Sequence, residues 1–374
     1  MDIQVSCSSG LESVVRNEMG KLGYSPRFAG EGLLGIEGKW GDVHRLNLWL
    51  RCASRVLLLV GQERCETFDE LYSFVKSLNW EDWVTKSGKI DIARVSASRS
   101  ALFSKSDIQA IAKKAICDRL TRLWGFPRLS ETGPLYPVVI DIDRDQAKVF
   151  LNTSGPSLHR RGYSLERGMA PLKETLAASL LELAHYRGER EFADPMCGSG
   201  TIPIEAALKA CSIAPGKNRS FAFLDWGVLK ESDRGQAVEE ARSQEGKPVL
   251  RILASDVNPK AVAAARMNAR RAGVEGFVQF QCLDAREFRS RKRGGLIAVN
   301  PPYAKRLGSY KESYELNQAL SRVYRNLEEW DIVALSAFDD FQKAFGKKAD
   351  KNRKLYTGGM QAYAYLYYGR KLAK

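Results

Sequence analysis

Histidine is scarce in this chain, with three in 374 residues, and its seven cysteines (Cys7, Cys52, Cys65, Cys117, Cys197, Cys211, Cys282) never form a C-x-x-C pair. Without such pairs or histidine clusters there is no metal-ligand spacing, so no metal site is expected and most cysteines read as small buried hydrophobes. Apolar runs of membrane-spanning length are missing too, and Met1 to Gly10 has no basic segment followed by a hydrophobic one. Neither a transmembrane helix nor a signal peptide is therefore expected, and the predicted location is the cytoplasm. Internal repeats and low-complexity tracts are also absent.

What is present is a composition of 44% hydrophobic and 27% charged residues, typical of folded domains, on a chain long enough for two or three of them. The net charge of +14 points to a polyanionic partner. Up to Gly155 there are 21 Lys and Arg against 19 Asp and Glu, whereas the remainder has 37 against 25. The electrostatic pull on a polyanion is thus expected to centre on the C-terminal part. Arg289 to Arg293, Lys305-Arg306 and Lys347 to Lys354 are candidate phosphate contacts, or else ordinary solvated charges.

Three units are expected. Residues 1–60 read as a small mixed α/β unit, with alternation at Ile3-Gln4-Val5, a helix near Leu11 to Leu22 and hairpin glycines from Gly30 to Gly38. Residues 61–155 hold a helix starting with capping-box spacing at Ser106 and Gln109 and closed by Gly125, flanked by strands at 90–95, 137–142 and 147–152. Thr153 to Ser157 reads as a joint. In residues 156–374 apolar strands at 191–193, 252–255, 278–282, 296–299 and 332–336 alternate with helices, which predicts a mostly parallel sheet. Pro171 is predicted to open a helix, Asn258-Pro259 to cap another, and Lys354 to Tyr368 to form an antiparallel hairpin.

The chemistry concentrates in short stretches. Asn300-Pro301-Pro302-Tyr303 follows the strand at 296–299. A base's exocyclic amine is a poor nucleophile because its lone pair is delocalised into the ring. The Asn300 carboxamide oxygen and the Pro301 carbonyl can each accept one N–H, turning that lone pair outward, while Pro302 offers no competing donor and Tyr303 a face for the base. The same four residues could equally make a stiff turn ending in an aromatic plug.

Asp194 to Thr201 (Asp-Pro-Met-Cys-Gly-Ser-Gly-Thr) runs from a strand into a helix, and Gly198 and Gly200 allow a sharp turn close to a ligand. The loop lacks the third glycine of a dinucleotide fingerprint and begins with a carboxylate, which suits an amine-bearing ligand better than a diphosphate. Asp256 and Asp284 close the next two strands, where one can accept ribose hydroxyls and the other an adenine amino group; singly, each is also a common helix cap. Together with Asp194 and Asn300 they form four acceptors at the C-terminal ends of successive strands.

Taken together, Asn152 to Tyr163, Ala170 to Ala177, Asp194 to Thr201, Phe221 to Trp226 and Asn300 to Leu307 resemble the class I S-adenosylmethionine-dependent RNA methyltransferases that carry an N-terminal THUMP domain. The similarity is greatest to the bacterial guanine-N2 methyltransferases of large-subunit ribosomal RNA. The resemblance implies a Rossmann-like class I α/β methyltransferase domain, a mostly parallel sheet with a C-terminal antiparallel hairpin, preceded by small α+β ferredoxin-like and THUMP domains that hold RNA. It implies S-adenosylmethionine as cofactor, bound by Pro171, Asp194, Cys197, Gly198, Gly200, Asp256, Asp284 and Ala285, with Asn300, Pro301, Pro302 and Tyr303 catalytic.

RNA is the implied partner, ribosomal more than transfer RNA, and a monomer the expected state. Because the first 155 residues are nearly neutral, RNA binding there would need a local patch such as Arg99, Lys105, Lys113 and Lys114, or recognition by shape and 2′-hydroxyls. DNA adenine-N6 and protein glutamine methyltransferases share the Asn-Pro-Pro-Tyr signature and remain alternatives, as does a non-catalytic RNA chaperone. A nicotinamide-dependent oxidoreductase lacks support for want of a diphosphate loop.

Overall fold

The protein's structure, a computed structural model, describes residues 1–164, 172–302, 309–357 and 360–369. Two seven-stranded sheets organise it. The first is built from β1 (Asp2–Ser6), β2 (Arg27–Gly30), β3 (Leu33–Glu37), β4 (Arg55–Arg64), β5 (Lys89–Ser98), β6 (Leu135–Asp143) and β7 (Gln146–Asn152), in the order β2-β3-β1-β4-β7-β6-β5. Residue 60 lies within β4, which pairs with both β1 and β7. The first two predicted units therefore share one continuous sheet.

On one side of that sheet lie α1 (Glu12–Lys21), α2 (Trp40–Trp49), α3 (Phe68–Ser77) and α4 (Lys105–Trp124). Thr67 caps α3 with a reciprocal Thr67–Glu70 capping box. The start of α4 differs from the expectation. It begins at Lys105, so Ser106 and Gln109 fall inside it, and Gln109 donates to the Ile92 carbonyl at 3.2 Å. Gly125 ends it at φ +69°, a left-handed conformation that costs glycine little.

The second sheet runs β10-β9-β8-β11-β12-β14-β13, from β8 (Phe192–Asp194), β9 (Ile252–Asp256), β10 (Val278–Cys282), β11 (Leu296–Val299), β12 (Asp331–Ser336), β13 (Lys351–Thr357) and β14 (Met360–Tyr367). Pairing is parallel from β10 across to β12, then antiparallel through β14 to β13. The five expected parallel strands and the C-terminal hairpin are thus found; the hairpin's Gly358-Gly359 turn lies outside the described residues. Helices α5 (Glu174–Leu183), α6 (Thr201–Ala210), α7 (Glu231–Ser243), α8 (Pro259–Arg271), α9 (Tyr310–Arg325) and α10 (Phe341–Phe345) complete the domain. The Asn258 side chain caps α8 by accepting from the Lys260 amide at 3.0 Å, with Pro259 in its first turn.

One hydrophobic core runs through all three units, and a second, rich in Phe341, Phe345, Tyr365 and Tyr367, packs under β12 and β14. The excursion between α6 and β9 packs on the N-terminal units. Phe223 stacks on Trp40, Trp226 stacks on Tyr136 and donates to the Leu135 carbonyl at 2.8 Å, and Arg45 forms an ion pair with Glu240 on α7 at 2.7 Å. Aromatic burial of this kind joins the units firmly.

Candidate active site

Strand order reverses between β8 and β11, so a crevice opens above their C-terminal ends, the usual ligand position in open α/β sheets. Across four adjacent strands this rim carries Asp284, Asp256, Asp194 and Asn300 in spatial order. A cleft of about 870 Å³ lies there, lined by Gly198, Asp256, Asp284, Ala285, Asn300 and Pro302 among the expected residues. Asn300 makes no side-chain hydrogen bond among the described residues, which leaves its carboxamide free. Pro301 is buried beside it. Pro171 and Tyr303 lie outside the described residues, and α5 begins at Glu174.

The loop from β8 to α6 is bound tightly to β9. The Cys197 amide donates to the Ser255 carbonyl at 2.8 Å and the Gly198 amide to Asp256 Oδ2 at 2.9 Å. Asp256 Oδ1 accepts from the Asn258 amide at 2.9 Å, so each oxygen keeps a lone pair for a ribose hydroxyl. Gly198 and Gly200 sit at φ +53° and +86°. A Cβ on Gly200 would stand 2.9 Å from Ala265 Cβ, so glycine is needed there for close packing on α8 as well as for the turn. Cys197 is buried and its thiol is held far above its usual range by burial, which makes it a packing residue whose main chain shapes the loop.

Asp194 is 1% exposed. Its Oδ1 accepts from the Met196 amide at 3.1 Å, while Oδ2 is buried with no partner. Burial, reinforced by the negative charge of Asp256, holds this carboxyl well above the usual carboxylate range. A buried acceptor left without a partner is costly. Asp194 does not itself line the cleft; it borders a separate, smaller pocket with Ala193, Leu253 and Ala254. Asp284 follows β10 by two residues and caps a short turn, accepting from the Arg286 amide at 2.9 Å. The Arg286 guanidinium also pairs with it, which keeps its carboxyl below the usual range.

Several lining residues were not anticipated. Val257, 67% exposed, gives an apolar wall beside Asp256, and α9 presents Glu312, Glu315, Leu316, Ala319 and Arg322 along the opposite side. Their spacing of three and four residues marks one helical face, but nothing in it announces a cleft. The anticipated N-terminal basic patch is largely neutralised: Arg99 pairs with Asp143, Lys113 with Glu131 and Lys114 with Asp118.

Sheet order, glycine loop and the row of acceptors define a class I methyltransferase domain, whose cofactor is S-adenosylmethionine. Residues 161–364 match the family described as RMKL-like, methyltransferase domain, residues 2–57 the RlmL ferredoxin-like domain and residues 65–152 the THUMP domain; the chain belongs to this family of ferredoxin-like, THUMP and RMKL-like methyltransferase proteins. It is 37% identical to a putative RNA methyltransferase YpsC of Bacillus subtilis, over 96% of this chain and 94% of that one. It is 33% identical to a ribosomal RNA large subunit methyltransferase K/L of Syntrophotalea carbinolica, over 94% of this chain but 51% of that protein, so it spans about half the length of the K/L relative. A crystal structure of SMU.472, a putative methyltransferase complexed with SAH, superposes with a TM-score of 0.93 at 35% identity, covering 100% of this chain and 99% of that one.

Proposed function

We propose that the protein transfers a methyl group from S-adenosylmethionine to the exocyclic N2 of a guanine in RNA, with large-subunit ribosomal RNA as the substrate. The observation that carries this reading is the placement of Asn300, free of other partners, on the same cleft as Asp256 and Asp284. The RNA methyltransferase names of the YpsC and K/L relatives and the match to a THUMP domain support RNA as the acceptor.

The cofactor fits the residues present. On the cleft, Asp256 offers two acceptors for the ribose and Asp284 with Ala285 the adenine end, against the apolar surface of Val257; the buried, partnerless Asp194 Oδ2 on the neighbouring strand offers an acceptor for the amino group. When bound, it supplies an electrophilic methyl carbon on a sulfonium. The chain's own contribution is alignment. Asn300 and the Pro301 carbonyl hold the amine by its two N–H groups and turn the lone pair toward the cleft, and Pro302 shapes the backbone between them. Positive charge builds on the amine nitrogen during attack, and two carbonyl oxygens directed at its hydrogens favour that charge more than the neutral ground state. The proton leaves to water afterwards, so no general base is required. The guanine must be turned out of any helix to enter, at a cost of about a few kcal/mol, less in a loop.

The test is methyl transfer from labelled cofactor to deproteinised ribosomal RNA, transfer RNA and DNA, followed by nucleoside mass spectrometry. N2-methylguanosine in ribosomal RNA is the expected product. Label found only in N6-methyladenine of DNA, or only in protein, would overturn the reading.

A further inference from the structure

The carboxylate of Asp284 has no acceptor site to spare. Its Oδ1 accepts from the Arg286 amide at 2.9 Å and from Arg286 Nε at 2.9 Å. Its Oδ2 accepts from the same Nε at 3.0 Å and from Arg286 Nη2. A carboxylate offers about four lone-pair directions, so these contacts leave none for the amino group of an adenine unless Arg286 withdraws. Asp256, at the end of the neighbouring strand, is built differently: each of its oxygens accepts from one amide and keeps a lone pair. The two acidic residues therefore cannot do the same work.

What the arrangement does is fix Arg286. Asp284 caps the short turn over 285–287 through the Arg286 amide, which sets the direction of its carboxylate. The guanidinium then presents its Nε and Nη2 edge to that carboxylate, a two-point grip that holds an arginine plane in one orientation. The gripped side chain is still 68% exposed, and it lines the cleft together with Ala285 and Val257. The other cation of the lining, Arg322 on α9, forms no ion pair among the described residues. Arg289, further along the loop, is turned back onto the carbonyls of Arg286 and Phe288. Arg286 is thus the lining guanidinium whose plane the protein itself sets. Such a plane is weakly hydrated and stacks on aromatic rings. Val257 adds apolar surface at the adjoining strand end, so a purine entering here meets a flat cation and an apolar side chain rather than a free acceptor.

We infer that Arg286 is a cofactor-binding residue that stacks its guanidinium on the adenine ring, and that Asp284 is a positioning residue acting through Arg286 instead of accepting from the adenine amino group. The inference rests on placing the adenine end of the cofactor beside Asp284 and Ala285. Where the sequence pattern alone suggests an acceptor for an exocyclic amine, the hydrogen bonds point to recognition of a flat ring, with the acidic residue as its second layer.

The experiment is calorimetric binding, to the full chain, of S-adenosylhomocysteine and of its analogue with purine in place of adenine, which lacks the amino group. Arg286→Ala should weaken S-adenosylhomocysteine roughly tenfold, and Arg286→Lys should recover only part of the loss because an ammonium carries charge but no plane. Ligand-free Arg286→Ala should melt within about 2 °C of wild type, since only an exposed side chain is removed. Asp284→Asn keeps an acceptor for the turn cap but not the charged grip, so it should still weaken binding severalfold, which a purely structural cap would not do. The double variant Asp284→Ala with Arg286→Ala should bind within about twofold of the weaker single one, and the ratio of the two ligands' affinities should be the same in Asp284→Ala as in wild type. Binding by Arg286→Ala within about twofold of wild type would overturn the inference. So would a ratio that collapses in Asp284→Ala alone, which would show the carboxylate reading the amino group and leave the adenine end where it is placed. Affinity unmoved by both Asp284→Ala and Arg286→Ala, with Asp256→Ala still weakening it, would overturn the placement of the adenine end as well.

Discussion

The amide nitrogen of Gly198 lies 2.9 Å from Oδ2 of Asp256, so the tip of the glycine loop after β8 is hung from the carboxylate that ends β9. Asp256 is thus both a candidate ribose acceptor and the anchor of the loop proposed to hold the methionine end of the cofactor. Asp256→Ala removes two acceptors and frees the loop. Cofactor binding by calorimetry should weaken at least about 100-fold, since each hydrogen bond to a charged group contributes about 1.5–3 kcal/mol. Asp256→Asn, which keeps one acceptor oxygen, should fall between the two.

Asn300→Ala should separate chemistry from binding. In the proposed reading the carboxamide holds the acceptor amine and not the cofactor, so transfer should fall about 100-fold or more while S-adenosylhomocysteine affinity stays within about twofold. Single-turnover methylation beside calorimetry checks both. Comparable turnover in the variant would remove Asn300 from the mechanism.

Asp194 makes a prediction about pH. Its carboxyl is raised in the folded protein, so the sign is set: the stability it contributes is full below its ordinary value of 3.8 and is lost as pH rises through the folded value. Above that ordinary value the buried, partnerless carboxyl is therefore a burden on the cofactor-free protein. Asp194→Asn should melt higher than wild type at pH 7.5 without cofactor, with the difference shrinking as pH falls toward 4. With Asp194 as the proposed acceptor of the cofactor's ammonium, the same substitution should weaken cofactor binding by about 2–5 kcal/mol. Wild-type affinity should rise with pH over the range in which Asp194 ionises. Thermal melts with and without S-adenosylhomocysteine test all three statements.

Arg161 and Glu205 concern stability alone. They are buried together, 3.4 Å apart, with the Tyr163 hydroxyl donating to Glu205 at 2.9 Å and Arg161 donating to the Leu158 carbonyl at 2.7 Å. The pair ties the joint to α6. Arg161→Met strands a buried carboxylate and should lower unfolding free energy by about 3–5 kcal/mol in urea titrations. The double variant Arg161→Met with Glu205→Leu should recover part of that loss, because the stranded carboxylate is gone while the buried Arg51 loses one of its neighbouring negative charges and keeps Glu18.

Much of this was legible in the chain. Local signals found β10 and β11 to the residue, the cap of α8 at Asn258 and the left-handed end of α4 at Gly125, because a run of apolar residues, a side-chain acceptor and a missing Cβ act over a few residues. The row of Asp194, Asp256, Asp284 and Asn300 was equally readable, since each terminates a strand of one parallel set. The capping box at Ser106 failed: the helix already begins at Lys105, and Gln109 bonds to a neighbouring strand instead of to its own helix start.

Sequence alone therefore determined the order of strands and helices and the residue types at the rim of the cleft, since both follow from short-range periodicity and chain direction. Tertiary structure decided the rest. It paired β4 with β7 so that two apparent units share one sheet, turned the Phe221 to Trp226 excursion onto the N-terminal half, and left Asp194 Oδ2 without a partner. It also left Arg55 and Arg94 unpaired while Arg99 and Lys113 found carboxylates. Which charges meet, and which are stranded from water, depends on distances between residues far apart in the chain, and no local pattern encodes them.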